Sequence, residues 1–248
     1  MKNSLKTLAV LSLVVTAMFA RGQVSVYDSI TTPTGFQFPM SNNVVIGQQV
    51  FMDPGLLGAN PFLRSFSFVY YSTNVGWSGS VTANIQFYQN SGSPFNGYAT
   101  PSPLFYETGT FALPNPQQVY STNAVKMTFA WQDIYLNYNY DLAGGGATNP
   151  MNINMALPPI FTMVYTFSGL TGADTISLPI YNTPVVGTNY NDYWVNNGSW
   201  ALVTNTAGGV SFGAQFNNEA TPAPEPSVLG LGALGMVLMA HLVNKRRK

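Results

Sequence analysis

The residues able to do chemistry in this sequence are few and unevenly placed. Between Gln23 and Thr221 there are eight carboxylates (Asp28, Asp53, Glu107, Asp133, Asp141, Asp174, Asp192 and Glu219) and two cations, Arg64 and Lys126, a net charge of −6. Cysteine is absent, and the sole histidine is His241, close to the C-terminus. A Ser-His-Asp or Cys-His relay and a zinc site of His or Cys ligands are therefore excluded from this stretch. Two cations cannot line a phosphate-binding groove, so nucleic acid is excluded as a partner too. What remains is chemistry that carboxylates and aromatic rings do by themselves.

A glycoside hydrolase needs only two carboxylates. Asp133, between Trp131 and Tyr135, is the one with aromatic neighbours of the kind that hold a sugar ring; the competing reading is a polar residue at a strand end or bulge. Asp141, Asp174 and Asp192 have asparagines nearby that would suit calcium, yet no run follows the Asp-rich calcium loop, and neither a metal site nor a cofactor is expected. Tyr190, Tyr193, Trp194 and Trp200 are candidate glycan contacts, because exposed rings with Asn and Asp partners hold polysaccharides by ring contacts and hydrogen bonds. Half the side chains of an alternating strand face the interior, so for Trp194 and Trp200 the core is the competing destination.

Strands must position these groups. In Val81-Thr82-Ala83-Asn84-Ile85-Gln86-Phe87-Tyr88 the odd positions are apolar and most even ones polar, the pattern of a strand with one buried face. Phe66, Phe68 and Tyr70 alternate with Ser65 and Ser67, and Val125, Met127, Phe129 and Trp131 alternate with Lys126, Thr128 and Gln132; beyond Asp133 the apolar phase shifts to Ile134 and Leu136. Further strands are expected over Val44 to Met52, Leu104 to Leu113, Phe161 to Phe167, Ser199 to Thr204 and Val210 to Phe216. Asn197-Gly198 is the strongest hairpin signal, since both residues tolerate the positive φ of a type I′ turn. Asp53-Pro54-Gly55, Asn96-Gly97 and Pro114-Asn115-Pro116 mark other turns, and Asn137 to Pro159 reads as a long irregular insertion. Regularly spaced strands separated by such turns predict an all-β fold, an antiparallel β-sandwich of jelly-roll type.

Composition agrees with a folded domain of unusual surface. Charged residues make up 7% of the chain against a usual figure of about 25%, while 46% is hydrophobic and 14% aromatic. Enough apolar area exists to collapse, and the surface must be covered by Asn, Gln, Ser, Thr and Tyr. Without cysteine, no disulfide staples it.

The two ends read differently. Lys2 and Lys6 precede an apolar run from Leu8 to Ala20 and then small residues, the build of a secretory signal peptide over residues 1–22, cleaved after Gly22 or, alternatively, after Ala17 or Ala20. After the expected passenger, residues 23–221, comes a tail over 222–248: Pro224-Glu225-Pro226-Ser227, an apolar stretch over 228–243, then Lys245-Arg246-Arg247-Lys248. As a helix the 16 apolar residues span about 24 Å, short of a hydrocarbon core of roughly 30 Å, a gap that snorkelling stems and local thinning close. The cationic end stays cytoplasmic, which puts the passenger across the membrane.

This tail resembles the PEP-CTERM sorting signal of bacterial surface proteins, in which Pro-Glu-Pro is followed by a transmembrane helix and an Arg-rich end, here Arg246 and Arg247. The resemblance implies recognition and processing by an exosortase-like membrane protease, after export by the secretion machinery and signal peptidase. It implies an inner-membrane-anchored precursor, then a mature protein at the cell surface or in an exopolysaccharide or biofilm matrix. A plain C-terminal anchor with a proline-rich stalk is the alternative for the same residues. The segments Val26-Tyr27-Asp28, Phe66-Ser67-Phe68, Ile85-Gln86-Phe87-Tyr88, Asn191-Asp192-Tyr193-Trp194 and Phe212-Gly213-Ala214 are loosely similar to the β-sandwich passengers of that family. The expected function is non-enzymatic, structural or adhesive; the alternatives are a carbohydrate-binding module and a carboxylate-dependent hydrolase.

Overall fold

The computed structural model describes residues 23–58, 62–115, 123–130, 137–140, 156–204 and 210–219. Its strands in chain order are β1 (Gln23–Asp28), β2 (Pro33–Met40), β3 (Val45–Phe51), β4 (Leu63–Tyr71), β5 (Thr82–Tyr88), β6 (Pro94–Phe95), β7 (Tyr98–Ala99), β8 (Leu104–Glu107), β9 (Phe111–Ala112), β10 (Ala124–Ala130), β11 (Asn137–Tyr140), β12 (Ile160–Ser168), β13 (Ile176–Tyr181), β14 (Thr188–Asn189), β15 (Tyr193–Asn196), β16 (Trp200–Val203) and β17 (Ala214–Glu219). Among the described residues the one helix is a single turn, α1 (Pro54–Leu57), begun where the Asp53 carboxylate accepts the amides of Gly55 and Leu56. The ladders are antiparallel throughout, so the domain is all-β. The compact unit runs from Gln23 to Glu219.

Two sheets account for nearly all the strands. A seven-stranded sheet has the order β1-β17-β4-β10-β11, with β13 joined to β4 and β2 to β13. An eight-stranded sheet has the order β16-β15-β3-β12-β5-β8, with β14 on β3 and β9 on β5, and β6 and β7 form a separate small hairpin. Phenylalanines join the two large sheets in one core. Phe66 of β4 stacks on Phe129 of β10 at 4.7 Å between ring centroids and meets Phe87 of β5 edge-on at 5.0 Å, while Phe161 of β12 meets Phe216 of β17 at 5.1 Å. Such offset and edge-to-face pairs add about 0.5–1.5 kcal/mol each to the stabilisation from burial.

The alternation in β5 is kept, with Ala83, Ile85 and Phe87 buried and Asn84, Gln86 and Tyr88 turned outward. In β4 both faces are covered. Phe66, Phe68 and Tyr70 enter the core, and Ser65 and Ser67 on the other face are buried as well. Lys126 Nζ on β10 donates to Gln215 Oε1 on β17 at 2.9 Å, reaching across β4 between them, and Gln215 Nε2 donates to Asp28 Oδ2 on β1 at 2.9 Å. Small serines leave room for those long side chains to cross.

Several sequence expectations are corrected. The Asn197-Gly198 hairpin forms, but Asn196 pairs with Trp200, so the loop has three residues, and only Gly198 (φ +95°) takes positive φ. The two-residue type I′ pattern belongs to Asn96 (φ +49°) and Gly97 (φ +85°), between Phe95 and its partner Tyr98. Leu104 to Leu113 is divided into β8 and β9. The first four residues of the expected insertion, Asn137–Tyr140, form β11 on the edge of β10. Val210 to Gly213 precede rather than belong to β17, although Phe212 bridges to Ile180. Strands β1, β2, β13 and β14 arise where no strand was expected.

Side-chain bonds to the backbone fasten the loops of this cysteine-free domain. Asp174 accepts from the amides of Ser78, Gly79 and Thr171 and from the Thr171 hydroxyl. Asn74 Oδ1 accepts the Thr175 amide at 2.8 Å while Nδ2 donates to the Ala173 carbonyl at 2.9 Å, and Asn42 makes the same two-way bond with Leu170. The chains pass closely here. Gly169 has φ +79°, and a Cβ on it would lie 2.1 Å from the Ser80 carbonyl oxygen.

Candidate functional site

Opposite residues in an antiparallel ladder share a face, so the registers assign every ring in the eight-stranded sheet. On β15, Val195 lies opposite Ile46 of the core, whereas Trp194 lies opposite Gly47, which lies opposite Val164, which lies opposite Gln86. Trp194 is therefore on the outer face, together with Trp200, which pairs with Asn196, and with Tyr88 of β5. Tyr193 is on the inner face. Its ring meets Phe38 at 5.1 Å and Phe212 at 6.3 Å, and burial pushes its pKa up.

The outer face carries a flap, the excursion from Gln89 to Pro103 that includes the β6-β7 hairpin. Gln89 N donates to the Pro103 carbonyl at 2.9 Å and Gly92 N to the Thr100 carbonyl at 3.0 Å, closing the excursion on itself. Thr162 Oγ1 donates to Asn90 Oδ1 at 2.9 Å and ties the flap to β12. Phe95 of the flap meets Trp194 edge-on at 6.3 Å, and Tyr98 meets Tyr190 at 5.8 Å. Trp194 is thereby only 1% exposed, so its ring belongs to a packed layer and offers no open face. Tyr190 keeps 43% exposure and leans on Phe51 at 4.9 Å; Tyr98 keeps 40%. Trp200 and Tyr88, both half-buried, meet edge-on at 5.5 Å.

Their strands have β12, β3 and β15 between them, about 19 Å of sheet at the usual strand spacing. Both rings must lean inward across the intervening strands for the contact to form. Gly47 leaves that ground low: a Cβ there would stand 2.7 Å from Thr162 Cγ2 and 2.9 Å from Val164 Cγ2. Beside the Tyr88–Trp200 pair runs a polar row. Tyr88 donates to Gln86 Oε1 at 3.3 Å, Gln86 Nε2 donates to Glu107 Oε1 at 3.2 Å, and Asn84 Nδ2 donates to the same oxygen. Burial, then the charge of Glu107, raises the Tyr88 pKa and keeps its hydroxyl a donor.

Of the four aromatic candidates, three thus share one face and Tyr193 takes the other. Tyr88, Gln86, Asn84, Glu107, Phe51 and Tyr98 were not singled out from sequence. The polar half of the β5 alternation was the visible signal for three of them. Among the carboxylates, Asp28 accepts the Ile30 amide and Gln215, Asp53 caps α1, and Asp174 takes four donors. Among the described residues no group of three His, Cys, Asp or Glu is placed to hold a metal.

The remaining candidates lie outside the described residues: Asp133 with Trp131 and Tyr135, Asp141, His241, the leader over 1–22, Pro224, Glu225, Pro226, the apolar run over 228–243, and Lys245, Arg246, Arg247 and Lys248. Among those described, no helix is long and apolar enough to cross a membrane. No family model matches the chain, and neither a curated protein nor a solved structure matches it.

Proposed function

We propose that the chain is an exported, surface-sorted protein whose jelly-roll-like β-sandwich passenger serves a structural or adhesive role, not a catalytic one, in the cell envelope or exopolysaccharide matrix. The observation that carries this reading is the order of its tail: Pro224-Glu225-Pro226, an apolar run over 228–243, then Lys245 to Lys248, paired with a leader of export type at the other end. An exosortase-like membrane protease would act at that tail after signal peptidase removes the leader. Support for a non-catalytic role comes from Asp28, Asp53, Glu107 and Asp174, each of which accepts hydrogen bonds from backbone amides or side-chain amides that hold the fold. Fractionation and intact mass analysis of the protein from its own host test the reading, with and without Pro224-Glu225-Pro226 changed to alanines. A wild-type product shortened at both ends and found at the surface, against a mutant held at full tail length in the inner membrane, is expected. An intact tail in both would make it a static anchor.

One observation favours a second reading, a carbohydrate-binding protein. Trp200, Tyr88, Tyr190 and Tyr98 remain partly open on one sheet face beside side-chain amides.

A further inference from the structure

We propose that the outer face of the eight-stranded sheet, where the Tyr88–Trp200 ring pair stands beside Asn84, Gln86 and Glu107, is a binding site for a neutral polysaccharide chain. The inference rests on the carbohydrate-binding reading and gives it a place, a polymer class and named contacts.

Tyr88 and Trp200 stay half-buried on the outer face and meet edge-on at 5.5 Å. Tyrosine and tryptophan combine an apolar ring with a polar edge, which suits a surface that is wetted when free and covered when bound. A pyranose has the matching chemistry, an apolar C–H face and a rim of hydroxyls.

A row of hydrogen-bonding groups flanks these rings. Asn84, Gln86 and Tyr88 project from alternate positions of β5, and Glu107 holds two of them through one oxygen. Each primary amide has a second N–H, and each amide oxygen a second lone pair, so the row can both donate to and accept from hydroxyls. Because the groups hold one another in place, little side-chain freedom is lost when a ligand arrives.

Charge selects against anionic polymers. The two described cations, Arg64 and Lys126, are on β4 and β10 of the other sheet, while Glu107 places a carboxylate on this face. A uronate or phosphate chain would meet repulsion without a counter-charge. Extent selects for a polymer. The row from Asn84 to Tyr88 runs about 14 Å along β5, a distance that more than one sugar unit spans.

Affinity electrophoresis of the full-length chain in detergent micelles tests the site. Gels contain hydroxyethylcellulose, laminarin or galactomannan, with alginate as the anionic comparison. At least one neutral polymer is expected to retard the protein equally at low and high ionic strength, since screening does not touch an uncharged contact. Trp200→Ala and Tyr88→Ala should each weaken retardation about tenfold, a ring contact's worth of free energy. Phe36→Ala, which removes an exposed ring from β2 of the other sheet, should leave it unchanged. Gln86→Ala, which removes no ring, should also weaken it and guards against a ring variant that fails to fold. No retardation by any neutral gel, retardation by alginate alone, or retardation that survives both Trp200→Ala and Gln86→Ala would overturn the site. Loss of surface sorting would appear in the fractionation and leave these gels unaltered, so the two readings fail separately.

Discussion

The Asp174 carboxylate, in the loop between β12 and β13, accepts the amide of Ser78 in the loop between β4 and β5 at 2.7 Å, across 96 residues of chain. With Thr171 and Gly79 it completes a clasp at the loops of a domain that has no cysteine.

That clasp titrates. Hydrogen bonds from the Ser78 and Thr171 amides hold the Asp174 carboxyl down to about 2. The folded-state value is below the unfolded value of roughly 3.9, so its contribution is complete above about pH 4 and is lost as pH falls towards 2. Asp174→Asn should flatten the stability profile in that window and lower stability at neutral pH. Urea denaturation at a series of pH values measures both effects.

Tyr27 titrates at the other extreme. Its hydroxyl is buried, and burial, opposed by the Ser29 and Ser211 hydroxyls, pushes its pKa up to about 12. A raised folded-state value means that stability falls as pH climbs from about 10 towards 12. Tyr27→Phe removes the ionisable group and should move the alkaline unfolding edge upward. Thermal melts at neutral pH and at pH 11 would show it.

Gln48 is a buried amide on β3 whose side chain serves another segment. Its Oε1 accepts the Phe212 amide at 2.8 Å, and its Nε2 donates to the Val210 carbonyl. Gln48→Leu leaves the Phe212 amide buried and unpaired, at a cost of roughly 1–3 kcal/mol, while the Val210 carbonyl keeps the Asn189 side-chain amide. A lower urea midpoint with an unchanged slope is the expected result.

Gly47 and Phe66 set a contrast in packing. Gly47→Ala forces methyl groups of Thr162 and Val164 aside from contacts of 2.7 and 2.9 Å and should cost about 1–3 kcal/mol. Phe66→Ala opens a hole among four other rings and should cost about 3–5 kcal/mol. Only the former should also shift Trp194 fluorescence, because Gly47 faces that indole across the ladder.

Legibility followed burial. Strands β4, β5, β10 and β12 place bulky apolar residues on one face, so alternation exposed them in the sequence. Strand β2, Pro33–Met40, is an edge whose residues are mostly exposed and include two prolines, and β13 carries Pro179 between two partners; neither has a pattern to read. The aromatic candidates were legible as residues but not as a surface. That Trp194 and Tyr193 point opposite ways follows from period two; which of them enters the core depends on the register with β3, some 150 positions earlier. Tyr88 and Trp200 become neighbours only through the strand order β16-β15-β3-β12-β5, which no local signal encodes.

The pairing of β1 with β17 puts Gln23 opposite Glu219, so the polypeptide enters and leaves the folded unit side by side. Strand β17 is also flanked on its other edge by β4. For a domain held through whatever follows Glu219, force arrives along a strand hydrogen-bonded on both sides. Antiparallel bonds lie perpendicular to the strand, so such a pull shears two ladders together rather than peeling one bond at a time. The arrangement gives the domain mechanical resistance at the end where a tether would load it.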